Sequence, residues 1–523
     1  MTQQRYPTYQ DVPVVMYNSK HRTKEQFEPL HEPRVGMYVC GPTVYGDPHL
    51  GHARAAVAFD TVFRYLSHLG YQVRYVRNIT DVGHMEDEVS DGGEDKIAKK
   101  ARLEKLEPME IAHHYTVSYH DAVGALNCLP PSIEPTATGH IPEQIELVKK
   151  ILENGYAYEV NGSVYFDLEK YAETGSYGEL SGKVLKDLRS GTRETEGLTE
   201  KRSSLDFALW KKADESHIMQ WESPWGRGFP GWHLECTTMS TRYLGTTFDI
   251  HGGGIDLQFP HHEAEIAQNH GAYGRDPARY WIHNNMLTVD GQKMAKSLGN
   301  FITMKDLFSG THERLEQGFS PQVVRFFMLQ AHYRSVLDFS SESLVAAEKG
   351  LRRLLAGLET LRSLKHPTVT ADTEPVSLFP ASEEKGRKSL EEEMLALCRS
   401  MYLHMSDDFN TARVLADLFE LISRINAIDT GDRSIEELSP EAFLRITVTV
   451  EAMVSEVLGI EPEKAVGENR ERLDELVRML VEVRSEARKK RDFATADRIR
   501  DRLKEVGIQL EDRPDGTTDY TMV

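Results

Sequence analysis

Between residues 35 and 76 the hydrophobic period changes twice, and this constrains the fold more than any other feature. Residues 35–39 are a short apolar run, the pattern of a buried strand. The run breaks at Gly41 and Pro42. After Gly51 the apolar residues Val57, Phe59, Val62, Phe63, Leu66 and Leu69 recur at helical spacing, and Gly70 stands where a helix C-terminus takes left-handed backbone. Residues 71–76 read as a second strand. Strand, turn, helix and strand predict an α/β fold with a parallel sheet. Ligands in such sheets bind beyond the carboxyl ends of the strands, here residues 40–52.

Farther on, residues 81–127 are polar, with helices expected at 96–106 and 108–125. Pro130, Pro131, Pro135 and Pro142 then open a stretch with short aromatic strands at 156–160 and 163–166, read as an insertion into the sheet. Gly-rich turns and apolar runs return at 226–300. From Ser341 the pattern is helical, with Leu344, Leu351, Leu354, Leu355 and Leu358 on one face. More helices are expected at 387–404, 409–427 and 440–458, with a loop at 366–380 and a linker at 461–468.

Length and charge narrow the function. A chain of 523 residues holds about three or four domains. With 40% hydrophobic and 28% charged residues it is neither a disordered polymer nor a fibre. The net charge of −20 repels nucleic acid on average. Residues 484–504 run against that balance, with nine Lys or Arg and four Asp or Glu. They could track phosphates or form a solvated amphipathic helix. The four cysteines, Cys40, Cys128, Cys236 and Cys398, follow no disulfide framework. That fits a reducing cytosol, so a cytoplasmic location is expected. There is no secretory signal design at the start and no apolar run of about 18 residues.

Three groups of residues carry chemistry. His49-Leu50-Gly51-His52 falls where the first strand becomes a helix. A helix N-terminus with a small residue and two imidazoles suits phosphate, and it reads equally as a pair of helix-capping histidines. Lys293-Met294-Ala295-Lys296-Ser297, bounded by Gly291 and Asn300, suits a mobile cationic clamp or a plain surface loop. The third group is scattered: Cys40 after the first strand, Cys236 in Gly231-Trp232-His233-Leu234-Glu235-Cys236, and His261, His262 and Glu265 after Pro260. Pro260 suits the first turn of a helix, which puts His261 and Glu265 on one face. Two Cys, one His and one Glu suit zinc, and two buried structural cysteines are the alternative.

Together these motifs resemble the class I aminoacyl-tRNA synthetases, whose signatures are HIGH and KMSKS. The chain has Leu50 in place of Ile, and Ala295 in place of the first Ser. The blocks around Cys40, Cys236 and His261 resemble the cysteinyl branch of that family. The resemblance implies a Rossmann-like catalytic domain at 1–127 and 226–310, split by an insertion at 128–225. A stem-contact region at 311–345, a helical bundle at 346–465 and a small anticodon-binding domain at 466–523 would follow.

It also implies ATP-dependent ligation of L-cysteine to tRNA(Cys) through a cysteinyl-adenylate, the ribose 2′-hydroxyl being the acceptor. His49, His52, Lys293 and Lys296 would be catalytic. Gly51, His52, His251, Gly252, Gly253, Asp256 and Lys296 would bind ATP with Mg²⁺. Thr43 and Trp232 would line the cysteine pocket. One Zn²⁺ per chain would be held by Cys40, Cys236, His261 and Glu265, with His262 as rival ligand. A monomer is expected. The alternative is a cysteine ligase acting on an amino-sugar acceptor, which shares the catalytic blocks, and a zinc-dependent RNA-binding protein is a third reading. The tail at 515–523 departs from the endings usual in the family.

Overall fold

The computed structural model describes residues 6–83, 85–87, 92–184, 200–214, 217–379, 389–461, 477, 479–485, 487–488, 490, 492–505, 508–512 and 518–522. The chain divides into two compact units, Met1–Ile460 and Glu461–Val523.

The centre of the first unit is a four-stranded parallel sheet. Its spatial order is Ala278–Asn284, Phe248–Gly254, Arg34–Val39, Gln72–Arg77. Arg34–Val39 leads through helix Leu50–His68 to Gln72–Arg77 on one side. Phe248–Gly254 leads through helix His261–Tyr273 to Ala278–Asn284 on the other. The chain therefore winds away in both directions from the seam between Arg34–Val39 and Phe248–Gly254, where His251 pairs with Tyr38 and Gly252 with Val39. Such a switch point opens a crevice at the strands' carboxyl ends.

Helix Leu50–His68 buries Val57, Phe59, Val62 and Leu66 against the sheet, and Phe63 is half-buried. Gly70 follows it at φ 92°, in the left-handed region glycine tolerates. The helices expected at 96–106 and 108–125 form as Lys96–Glu104 and Pro108–Ala125.

The expected insertion contributes Phe207–Lys212, Ser163–Phe166 and Ala157–Val160 to an antiparallel sheet, whose fourth strand, Gly228–Pro230 beside Phe207–Lys212, lies beyond the expected boundary at 225. The helical part begins at Ser341, where Ser340 caps Ser341–Ser363 by accepting from the Ser343 N–H. This helix crosses the expected boundary at 345. Leu344, Leu351, Leu354 and Leu358 are buried, whereas Leu355 is half-buried at the edge of the stripe. Helices Leu390–Ser406, Thr411–Asp429 and Pro440–Glu451 complete the bundle.

A buried ionic knot ties the bundle to the sheet domain. Arg325, fully buried, donates to Asp60 Oδ2 at 2.5 Å, to the Leu458 carbonyl at 2.7 Å and to the Leu126 carbonyl at 2.9 Å. Arg64 shares the same Asp60 oxygen at 2.8 Å. Both guanidinium groups thus find acceptors, as buried charge requires.

The second unit contains helix Phe493–Glu505 and the hairpin Ile508–Asp512 with Thr518–Met522, around a small core of Val477, Leu503 and Ile508. Residues 462–468 of the expected linker, Lys489 and Arg491 of the basic stretch, and residues 515–517 of the tail lie outside the described residues. Among the described residues no helix is long and apolar enough to cross a membrane.

Candidate active site

His49 is the N-cap of helix Leu50–His68. Its Nδ1 accepts from the Gly51 N–H at 3.1 Å, and His52 Nδ1 accepts from the His49 N–H at 3.2 Å. The motif is thus a capping box built from imidazoles, with the rings stacked 3.9 Å apart. Accepting at Nδ1 puts each neutral ring's proton on Nε2. Burial lowers His52 to about 4, so it is a neutral donor rather than a cation. Gly51 lacks a Cβ for a visible reason: one there would lie 2.9 Å from the His49 ring. Capping and phosphate binding were alternatives for this motif, and the geometry makes them compatible, because capping orients both rings at a helix N-terminus.

The lysine loop is joined to this cap. The Met304 N–H donates to the Pro48 carbonyl at 2.8 Å, and His49 and Thr303 form an isolated antiparallel bridge. The Phe301 ring lies 5.0 Å from that of His49. Lys293 is exposed on the short strand Gln292–Lys293, which pairs with Leu287–Val289. Lys296 opens the single 3-10 turn Lys296–Leu298. Two motifs far apart in the chain are therefore joined by backbone contacts.

The third group converges as well. Cys40 follows strand Arg34–Val39, Cys236 lies in the first turn of helix Leu234–Leu244, and His261 and Glu265 lie in the first two turns of His261–Tyr273. The Cys40 and Cys236 sulfurs are 3.5 Å apart. His261 Nε2 is 3.4 Å from Cys236 Sγ and 3.3 Å from Glu265 Oε1, which is 3.6 Å from Cys40 Sγ. Zinc bond lengths of about 2.0–2.3 Å set tetrahedral edges of roughly 3.3–3.8 Å, so these four atoms fit that metal.

A second grouping, Cys40, His251, His262 and Glu265, overlaps the first. His262 Nε2 is 3.3 Å from Cys40 Sγ. Burial, then the neighbouring thiol, raises the Cys40 thiol well above its usual range. Burial pushes Cys236 up to about 12. Two such thiols ionise together only beside a strong positive charge, which a dication supplies.

Other expected residues take different places. His251 is fully buried, donates from Nε2 to Glu265 Oε2 at 2.8 Å, and stacks on Trp281. It therefore orients a cluster carboxylate. Gly252 and Gly253 are small for reasons internal to the protein: a Cβ would meet the Phe59 ring at 2.3 Å or the His262 ring at 2.8 Å. Asp256 is exposed in the turn Ile255–Gln258. Trp232 is half-buried with its ring 4.6 Å from His261, and half-buried Thr43 bridges Thr80.

The sequence reading missed the residues that support this cluster. His233 Nδ1 is 3.0 Å from His261 Nδ1, and His283 Nε2 is 2.8 Å from His262 Nδ1. Asn78 Oδ1 accepts the Gly41 N–H at 2.8 Å, and Thr80 donates to Glu235 at 2.6 Å. Asn78 and His283 stand at the carboxyl ends of parallel strands, so examining every strand end would have found them.

The sequence matches the family described as tRNA synthetases class I (C) catalytic domain over residues 26–349, and the DALR domain over residues 402–460. It is 53% identical over 505 residues to the cysteine--tRNA ligase of Porphyromonas gingivalis, covering 96% of this chain and 98% of that protein. It is 54% identical over 504 residues to that of Cytophaga hutchinsonii, with the same coverage. Mycobacterium tuberculosis methionyl-tRNA synthetase in complex with methionyl-adenylate shares the fold, at TM-score 0.56 and 15% identity over 82% of this chain and 92% of that one. With these matches and this site, the chain belongs to the cysteine--tRNA ligase family of class I tRNA synthetases.

Proposed function

We propose that the protein activates L-cysteine with ATP and transfers it to tRNA(Cys). The observation that carries this reading is the junction of the histidine cap with the lysine loop, in a chain whose thiols, imidazole and carboxylate also gather into one cluster. A cysteine carboxylate oxygen attacks the α-phosphorus of ATP, the bond from that phosphorus to the bridging oxygen breaks, and pyrophosphate leaves with the electron pair. A terminal ribose hydroxyl of the tRNA then attacks the adenylate's carbonyl carbon, and AMP leaves with the hydroxyl's proton.

The nucleophile in each step belongs to a substrate, so the protein's work is positioning and charge stabilisation. His49 and His52, neutral with protons on Nε2, donate to phosphate oxygens as charge builds there. Lys293 and Lys296 neutralise the departing pyrophosphate, and Mg²⁺ accompanies the nucleotide. Gly51 keeps the helix N-terminus open to the phosphates.

Cys40, Cys236, His261 and Glu265 are the residues that would hold zinc. This set contains both thiols, and it leaves His251 to orient Glu265 and His233 to orient His261 through the nitrogen opposite the metal. Zinc held there supplies a soft Lewis acid that accepts a thiolate far better than a serine hydroxyl. Trp232, packed on His261, would wall the cysteine side chain. Discrimination built on a required ligand can reach about 10⁴–10⁵ without editing.

The amino-sugar acceptor is not favoured. The chain continues into a DALR domain and spans 98% of its tRNA-charging relatives. ATP–pyrophosphate exchange tests the reading: exchange should require cysteine, reject serine, and lead to acylated product when tRNA(Cys) is added. Exchange indifferent to the amino acid would refute it.

A further inference from the structure

Asn300 is 1% exposed, although Gln292, Lys293, Ser297, Leu298 and Gly299 just before it are all exposed. Both ends of its carboxamide are used within that loop. Oδ1 accepts the Ala295 N–H at 2.8 Å, and Nδ2 donates to the Lys293 carbonyl at 3.1 Å. The Leu298 N–H donates to the Ala295 carbonyl at 3.1 Å, closing a turn inside the same segment. Gly291 and Gly299, at φ 72° and 61°, bracket the segment in left-handed backbone.

Beyond Asn300 the chain is held firmly. Ile302 is fully buried and its carbonyl accepts the Leu50 N–H at 3.4 Å, while Met304 is bonded to Pro48. One buried amide thus stands between an exposed loop that carries two lysines and backbone joined to the histidine cap.

We propose that Asn300 is a positioning residue that locks Lys293 to Lys296 into one unit, so that the two ammonium groups act on the pyrophosphate jointly. Asn300 touches no reacting atom. It bridges the lysine backbone to the segment tied to His49, so it sets where the clamp sits relative to the helix N-terminus. A side chain placed by two backbone bonds is the kind of support that holds a charged group within reach of its partner. This role rests on the adenylate-forming reading above.

The test uses the full-length, zinc-loaded protein with active sites titrated, and follows cysteine-dependent ATP–pyrophosphate exchange. Asn300→Ala is expected to lower kcat about tenfold with KM for cysteine unchanged. Asn300→Asp keeps the acceptor and loses the donor, and should fall between that variant and the unmodified protein. The decisive measurement is a double-mutant cycle with Lys296→Ala. If Asn300 couples the lysines, Lys296→Ala costs severalfold less in the Asn300→Ala background than alone. A merely destabilising role would leave the two effects additive, and additivity overturns the proposal, as does normal kcat in both Asn300 variants. If Asn300→Ala does not fold, the same cycle with Asn300→Asp decides. An unmodified protein with no cysteine-dependent exchange would instead overturn the adenylate reading, and this role with it.

Discussion

Cys236 is 1% exposed, with its sulfur within 3.5 Å of Cys40 Sγ and 3.4 Å of His261 Nε2. Serine there would replace a soft ligand with a hard one in a closely spaced set. Cys236→Ser is expected to lose bound zinc, read by metal analysis, and to raise KM for cysteine by about tenfold or more while ATP binding survives. A variant that keeps its metal and activates cysteine normally would remove Cys236 from the set. His52 gives a prediction in pH. Burial lowers its imidazole from 6.5 to about 4, so between those values the unfolded chain binds more protons than the folded one. Stability therefore falls as pH drops through that window, by on the order of 3 kcal/mol from this group. The melting temperature of the ligand-free protein should fall less between pH 7 and 5 in His52→Gln than in the unmodified chain. Parallel curves would assign the acid sensitivity elsewhere.

The element that matters most is helix Leu50–His68, because its N-terminus is capped by His49 and is the phosphate site of the proposed reaction. Gly51→Ala separates these roles. The added methyl lies 2.9 Å from the His49 ring and must displace it. Alanine gains up to about 1 kcal/mol of helix propensity, and losing the cap costs about as much. The melting temperature should thus barely move, while kcat for exchange should drop about tenfold or more with the displaced donor. An unchanged kcat would show that His49 need not be held in this position. At this scale local pattern served well. The first strand–helix–strand unit, the two helices before Ala125 and the pairs of short strands in the insertion are visible in the sequence, because each is set by the period of its own side chains. The glycine run at 252–254 is only half legible at the same scale. It reads as an approach for a ligand, and the structure adds a second reason for small residues there, since a Cβ would meet the Phe59 ring at Gly252 and the His262 ring at Gly253.

Across the whole molecule, two features carry separate consequences. Asp60 is the carboxylate that Arg325 and Arg64 share. Asp60→Ala leaves buried guanidinium charge and is expected to cost about 3–5 kcal/mol, seen as a lower urea midpoint. A midpoint within error of the unmodified chain would mean that backbone carbonyls alone satisfy Arg325. The terminal unit Glu461–Val523 has its own core and carries the whole basic stretch at 484–504. Ending the chain after Glu461 should leave cysteine-dependent exchange intact, since that step needs no RNA. Acylation of tRNA(Cys) should fall sharply through a higher KM for tRNA, because phosphate contacts supply much of such affinity. Equal acylation by the full and shortened chains would mean that this unit takes no part in holding tRNA.

The amino-acid sequence alone determined the chemistry available to this protein. Two imidazoles at a strand-to-helix turn and two lysines in a glycine-bounded loop can be read from residue types and short spacings, and the scattered soft and hard ligands from residue types and the resemblance. Only the tertiary structure decided how these groups combine. Cys40 meets Cys236 and Glu265 because Arg34–Val39 lies beside Phe248–Gly254 at the sheet's switch point. That pairing joins segments separated by the whole insertion, and no local period encodes it. The same non-local packing turns His251 inward onto Glu265, fills the glycine run with rings from two helices, and hides Asn300 beneath the loop it holds. Which side chains a strand can offer follows from its sequence; which partners those side chains meet depends on what the sheet places next to it.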